Sequence, residues 1–564
     1  MNNITSKLRS NQSASGPGLC LLLGALLLGA LLLGGCGSKS DDGPTGVSAG
    51  NAGAVGSAGS GASASGGVAA MGGASASGGA NVTAGAAGAA GAAGSAGGET
   101  AGAGRGGAAT TSNVAITPHP IALTAGKAYN VADDFFDDGF IPPSPLANFG
   151  FQTQIVASVH ADGSLDVAWL DYSNGKGKPM ALSALGMIYI THIDPALGTG
   201  TTVATGIQSY RLLGFTMDPT GAFYLAYNAD HPFKTDAQDD PNNVQGNELR
   251  IAKSASPDFG TKAWDTLVFG DQDNRKDKSK GNAGAAGSGV LGFDAMNQKL
   301  VAYVAHQMAW GDNGADNGTR HQAGFLGYFD AMTGKQVTPG GNAILNTGAG
   351  WFYSHNFDQR LLVDGGIAYT LAHGDAYARQ LGFGAWTLDS YSKKNATTID
   401  QSYFTIAGNE GDNKTDTETG QFIKLSDGRF VVVHTSSQTR TARDVHIVLV
   451  NGTTGATLSD AWLTNNMGTT QATTPKLEVL GDKLFVSYGL WDSAQRTNKK
   501  IDWYSLLVDL TLKPVGAAKA ETSVEFVTSS PLFRFAGGPN AGSVGWVSGN
   551  ALHTLSVNVA SAAP

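Results

Sequence analysis

Cysteine is nearly absent from this chain of 564 residues: there are two, Cys20 and Cys36. An internal disulfide framework is therefore excluded as the source of stability, and a fold this long must rest on buried apolar surface. Charge is also scarce, at 14% of residues, with a formal net charge of −9. No basic stripe interrupts that mildly acidic balance, so nucleic acid is not an expected partner. Long amphipathic helical patterns are missing. So are a G-x-S-x-G elbow, a P-loop and a dinucleotide fingerprint in a strand-to-helix setting, which removes the commonest nucleotide and serine-hydrolase chemistries. No closely spaced histidine pair of metalloprotease type occurs, and no cofactor is identified from the sequence.

Glycine is abundant instead, 80 residues in all, much of it before residue 114. Residues 1–18 carry Lys7 and Arg9 and no acid, and Leu19 to Leu33 is almost wholly Leu, Gly and Ala. A cationic stretch followed by a short apolar run has the layout of a secretory signal. It is shorter than the roughly 20 residues a spanning helix needs. The run ends Leu33-Gly34-Gly35-Cys36. This resembles the lipobox of bacterial lipoproteins, which implies cleavage before Cys36 and acylation of its thiol. Cys20 would leave with the leader. Gly37, rather than Asp, follows the cysteine, which resembles outer-membrane sorting in Gram-negative lipoproteins. The expected partner of Cys36 is thus the lipid bilayer.

Three segments follow: a signal peptide over 1–35, a lipidated spacer over 36–113, and a folded domain over 114–564. The spacer is dominated by Gly, Ala and Ser, as in the run from Gly85 to Gly98. With almost no large apolar side chain to bury, it cannot offset the entropy of ordering and is expected to be disordered. Random-coil scaling gives it a reach of roughly 50 Å.

Within the folded domain one unit recurs: a strand, a tight turn, an apolar second strand, a polar loop and a third strand. The turns fall at Asp162-Gly163, Thr220-Gly221, Asn297-Gln298, Asp364-Gly365, Asp427-Gly428, Gly481-Asp482 and Ala541-Gly542. Asp-Gly is a strong hairpin signal, because glycine reaches positive φ without steric cost. Second strands such as Leu300 to Val304 and Phe430 to Val433 are continuous apolar runs, which means burial on both faces. Seven units predict an all-β, seven-bladed β-propeller, with tandem β-sandwiches as the alternative. The turn from Asp330 to Lys335 resembles repeats of pyrroloquinoline-quinone propellers. It lacks their following Trp, and no quinone is inferred from it.

In propellers the loop after the second strand and the entry to the first strand meet on the usual ligand face, so the candidate site residues are sought there. Eight positions past the turn lie Asp171, His306 and His373, and His434 ends another second strand. The fourth unit is richest, with His355 entering its hairpin and His373, Asp375 and Arg379 leaving it. A two-residue loop at Asp364-Gly365 sets Asn356 opposite His373; a three-residue loop sets His355 opposite Asp375. His306, His355, His373, Asp375 and Arg379 form the expected ligand face, with Trp310, Trp351 and Tyr377 as apolar walls. Capping of strand ends by these polar residues is the competing structural reading. Metal binding by the histidines and Asp375 is a further one. Two functions follow. The first is an envelope-anchored propeller binding a carbohydrate or protein ligand. The second is an extracytoplasmic hydrolase or lyase with His373 and Asp375 as general acid and base.

Overall fold

The computed structural model describes residues 114–126, 128, 155–171, 186–209, 212–229, 248–269, 283–310, 319–337, 352–354, 356–374, 380–387, 401–407, 417–438, 440–494, 500–526, 530–550 and 554–562. Of these, residues 229, 248, 269, 283–288, 305–310, 319–325, 352–354, 356–358, 372–374, 380, 387, 401–407 and 550 are described by their backbone alone. The leader, Cys36 and the spacer lie outside the described residues.

The described strands pair into seven four-stranded antiparallel sheets. Six are simple meanders: residues 156–209, 212–269, 283–354, 356–407, 418–462 and 470–521 form blades 1 to 6 in chain order. The first strands of successive blades touch one another, and that of blade 7 touches that of blade 1. The sheets therefore stand radially in a closed ring, and the protein is an all-β, seven-bladed β-propeller. The tandem-sandwich alternative is excluded by that ring.

Blade 7 is built from both ends of the folded chain. Phe533–Arg534, Val544–Asn550 and Thr554–Ala562 supply three strands, and Val114–Ala122 adds the outermost one. Its register runs from Val114 opposite Ala562 to Ala122 opposite Thr554. Nothing in the sequence repeat marked this strand as the partner of the last one. Closure of this kind removes the free edges that an open ring of sheets would leave.

The seven expected turns all join first to second strands. Gly163, Gly221, Gln298, Gly365, Gly428, Gly481 and Gly542 take the positive φ they require. In blade 4 Asp364 pairs with Ile367, so the two-residue loop is Gly365-Gly366 rather than Asp364-Gly365.

The continuous apolar runs are explained by the packing. The core is divided into seven hydrophobic clusters, one in each gap between neighbouring blades. Alternate residues of a second strand enter alternate gaps. Leu300, Ala302 and Val304 pack toward blade 2, whereas Val301 and Tyr303 pack toward blade 4. Because successive side chains point to opposite faces, a strand sandwiched between two sheets must be apolar at every position.

The up-and-down order gives the ring two unlike ends. Turns from first to second and from third to fourth strands lie at one end, here the turn end. Loops from second to third strand and from blade to blade lie at the other, the loop end.

Candidate functional site

The ring of first strands encloses a channel of about 1090 Å³. Its described wall comes mainly from blades 4, 5, 6 and 7. Formal charges on that wall balance: Arg360, Lys424, Lys476 and Arg534 face Asp364, Asp427, Glu478 and Asp482. Leu361 and Phe533 add apolar surface between them.

Several of these polar groups are held by the fold. Arg360 donates through Nε to the Gly420 carbonyl at 2.8 Å, tying blade 4 to blade 5. The buried Lys476 ammonium is held by the Ser530 carbonyl. Gln421 makes a paired amide contact with Leu532, donating Nε2 to its carbonyl at 2.9 Å and accepting from its N–H at 3.1 Å. Blades 5 and 6 thus fix the chain that enters blade 7 and define the channel wall there.

Glu478 is the exception. It interrupts the apolar run from Leu477 to Leu480 on the first strand of blade 6. Loss of water around it pushes its carboxyl up to about 7, against the pull of the Val479 N–H bonded to Oε1 at 2.8 Å and of the Arg534 charge. A carboxyl poised near neutral pH can give or take a proton at physiological pH.

Toward the loop end of blades 5 and 6 the buried polar groups brace the ring. The Glu418 carboxylate accepts from the Thr474 N–H at 2.9 Å and from Thr473 Oγ1 at 3.0 Å, and the buried Arg443 guanidinium lies 3.6 Å away. Asp444 accepts from Thr464 Oγ1 and the Asn466 N–H, both at 2.7 Å. Buried charges with this many partners are satisfied by structure and leave little for a ligand.

The residues expected at the ligand face are placed only in part. His306 lies on the second strand of blade 3, opposite Ala285 and Ala323. His373 lies on the second strand of blade 4, opposite Phe357 and Leu381. Their side chains are not among those described. His355, Asp375, Arg379, Trp351 and Tyr377 lie outside the described residues, as does the Trp310 side chain. The backbone register corrects one of the two pairings drawn from the sequence; the other, His355 with Asp375, lies outside the described residues. Asn356 opposes Gly374, not His373. A two-residue turn is followed by a bulge between Phe357 and Arg360, and the extra residue shifts the loop end of the hairpin by one position.

Asp171 does end its strand and is buried there. His434 is wholly buried inside blade 5 and faces another histidine, His446, rather than the loop end. Glu478 was missed; its signal was an acid standing alone in an apolar first strand. Among the described residues, one group of histidine and acidic side chains is close enough to share an ion, His160, Asp166 and His192, and it lies at the turn end.

No known family matches the sequence, and no curated protein does. Solved structures resemble it in fold. A protein of unknown function from Dyadobacter fermentans is 8% identical, covering 80% of this chain and 99% of its own, with a TM-score of 0.36. The polysaccharide lyase Uly1 is 8% identical over 78% of this chain and 98% of its own, with a TM-score of 0.42. The WD40 domain of Toxoplasma gondii coronin is 9% identical over 80% and 87%, with a TM-score of 0.38. Likeness at this level concerns the fold alone.

Proposed function

We propose that this chain is an envelope lipoprotein, anchored through a lipid on Cys36, whose propeller binds a carbohydrate at the channel mouth. The observation that carries the ligand reading is the channel: about 1090 Å³, walled mainly by first strands, balanced in formal charge and interspersed with apolar side chains. Ligand sites combine apolar walls with a few fixed polar groups. A balanced set of charges does not favour a polyanion. It suits a neutral, many-hydroxyl ligand that exchanges hydrogen bonds with both donors and acceptors and lays its C–H faces on Phe533.

The anchor reading rests on Leu33-Gly34-Gly35-Cys36 at the end of an apolar leader. It places the domain at an outer membrane, beyond a Gly/Ala/Ser spacer. Incorporation of labelled palmitate into the wild-type chain and its loss in Cys36→Ser supports it. Unlabelled wild-type chain in the soluble fraction overturns it.

For the ligand, the chain from residue 36 onward, carrying Cys36→Ser, is screened against a glycan array. Saturable binding to one glycan class, lost in Phe533→Ala with an unchanged unfolding midpoint, is the expected result. Binding to no glycan, or binding indifferent to the channel wall, overturns it and leaves a protein ligand as the one to seek.

A second reading is an extracytoplasmic lyase or hydrolase. His373 and Asp375 remain its sequence candidates, and the carboxyl of Glu478 near 7 gives it a specific support. Release of reducing ends or unsaturated products from the bound glycan, abolished in Glu478→Gln, separates an enzyme from a binding protein.

A further inference from the structure

At the turn end of blade 1 two histidines converge on one carboxylate. Asp166 is on the second strand, Leu165–Asp171, and His192 is directly opposite it on the third strand, Gly186–Ile193. Paired residues of neighbouring strands present their side chains on the same face, so register alone sets this pair together. His160 reaches the same carboxylate from the turn after the first strand. That turn is fixed by the Gly163 N–H donating to the His160 carbonyl at 3.0 Å and by Asp162 accepting from Ser164.

His160 Nε2 lies 2.6 Å from Asp166 Oδ2, and His192 Nδ1 lies 3.0 Å from Asp166 Oδ1. One ligand atom from each residue falls within 4.8 Å of the others. Asp166 is buried at 4% exposure, His160 is half-buried, and His192 opens to solvent. The arrangement has a fixed, buried acid at its base and an accessible rim. A carboxylate buried on the sheet face is costly unless its partners carry positive charge or an ion lies between them.

We propose that His160, Asp166 and His192 bind one Zn²⁺ ion. Two imidazoles and a carboxylate are a donor set that suits zinc and disfavours magnesium and calcium, which take oxygen ligands. Donors of a tetrahedral zinc site, each about 2.0–2.2 Å from the metal, stand roughly 3.3 Å apart. The histidine–aspartate separations of 2.6 and 3.0 Å lie close to that, and no separation in the group exceeds it by more than roughly 1.5 Å. Water completes the shell on the solvent side. The donors come from the first hairpin and third strand of blade 1. The turn between His160 and Asp166 also packs closely on blade 7, where Gly163 approaches the Gly537 carbonyl. The ion would therefore pin blade 1 beside the blade that closes the ring. Its role is structural, and it is independent of the channel and of the ligand proposed there.

The test uses the chain from residue 36 onward with Cys36→Ser, stripped with chelator and titrated with Zn²⁺ by calorimetry. One equivalent is expected to bind at micromolar metal or below, and to raise the unfolding midpoint by mass action. His192→Ala, an exposed change that leaves the strand pairing intact, is expected to weaken binding by at least about 100-fold and to abolish the midpoint shift. His160→Ala should do the same, and His373→Ala should not. Co²⁺ in place of Zn²⁺ adds a spectroscopic signature of nitrogen ligation that needs no change in stability. Absence of binding at micromolar Zn²⁺ overturns the proposal. So does binding that persists in both His192→Ala and His160→Ala, or that disappears in His373→Ala alone.

Discussion

His434 Nε2 lies 3.0 Å from His446 Nδ1, and His446 Nε2 lies 2.9 Å from an Asp460 carboxylate oxygen, so two imidazoles run in series from the interior of blade 5 to its surface. Trp462 stacks on the His446 ring at 4.1 Å, and the Arg440 guanidinium lies over Trp462 at 4.4 Å. With both rings neutral, His446 donates to Asp460 and accepts from His434. Adding a proton would put a charge inside the blade. Burial disfavours it and lowers the His446 pKa from its ordinary 6.5, against the opposing pull of Asp460 and with the Arg440 charge acting in the same sense as burial.

The sign of the resulting pH dependence follows. Below about pH 6.5 the unfolded chain takes up a proton at residue 446 that the folded chain refuses, so the His446 contribution to stability is lost as pH falls. Denaturation midpoints of wild type and His446→Gln should converge as the pH is lowered from about 8 to about 5. A gap that widens on acidification would reverse this assignment.

Glu478 works in the other direction. Its carboxyl is raised from an ordinary 4.5 to about 7, so the folded chain holds a proton that the unfolded chain has released. Its contribution is present below the lower value and is lost as pH rises through the higher one. Glu478→Gln should therefore become relatively more stable than wild type between about pH 5 and about pH 8. Paired denaturant titrations at those two pH values check it.

Gly420 stands at the bulge between Thr419 and Phe422, where its carbonyl holds Arg360. A β-carbon there would collide with the backbone carbonyls of Val433 and Pro475, which cannot swing aside. Gly420→Ala is expected to cost about 1–3 kcal/mol through overpacking. Gly206→Ala meets no atom within 4 Å but is strained by its φ of 69°. It should cost only about 1 kcal/mol. Comparing the two by chemical denaturation separates collision from backbone strain.

Ring closure gives a fourth expectation. Ile121 on the closing strand is 1% exposed, in the cluster between blades 7 and 1. Ile121→Ala should cost about 2–5 kcal/mol. A chain beginning after Ala122 should lose cooperative unfolding, and a peptide of residues 114–122 added to it should restore part of the transition, as followed by circular dichroism.

The blade count was legible because each hairpin turn needs a positive φ and each second strand needs apolar side chains on both faces; both demands write themselves into local sequence, as at Asp427-Gly428 and Phe430 to Val433. Closure by Val114–Ala122 was not, since Val114 and Ala562 find each other only through the completed ring. The bulge at Phe357 to Arg360 was equally hidden, and with it the one-residue shift that governs which side chains share the loop end of blade 4. The triad of His160, Asp166 and His192 escaped for the same reason: Asp166 and His192 are 26 positions apart in the chain and meet only by strand register. His446 is marked by burial and Glu478 by loss of water around its carboxyl, neither of which composition reports at a single position.

The strand that completes blade 7 has a consequence for the order of events in folding. Val114 to Ala122 leaves the ribosome long before its partner, Thr554 to Ala562. Until then the strand has no edge to join, and the ring stands open at both flanks. Contacts this distant are slow to form, because the loop-closure entropy is lost before any bond compensates it. An unpaired strand edge is also a site where other chains can add. The final, rate-determining event is thus expected to be the meeting of the two termini of the domain, and a holding factor that masks either strand would delay folding without touching any of the first six blades.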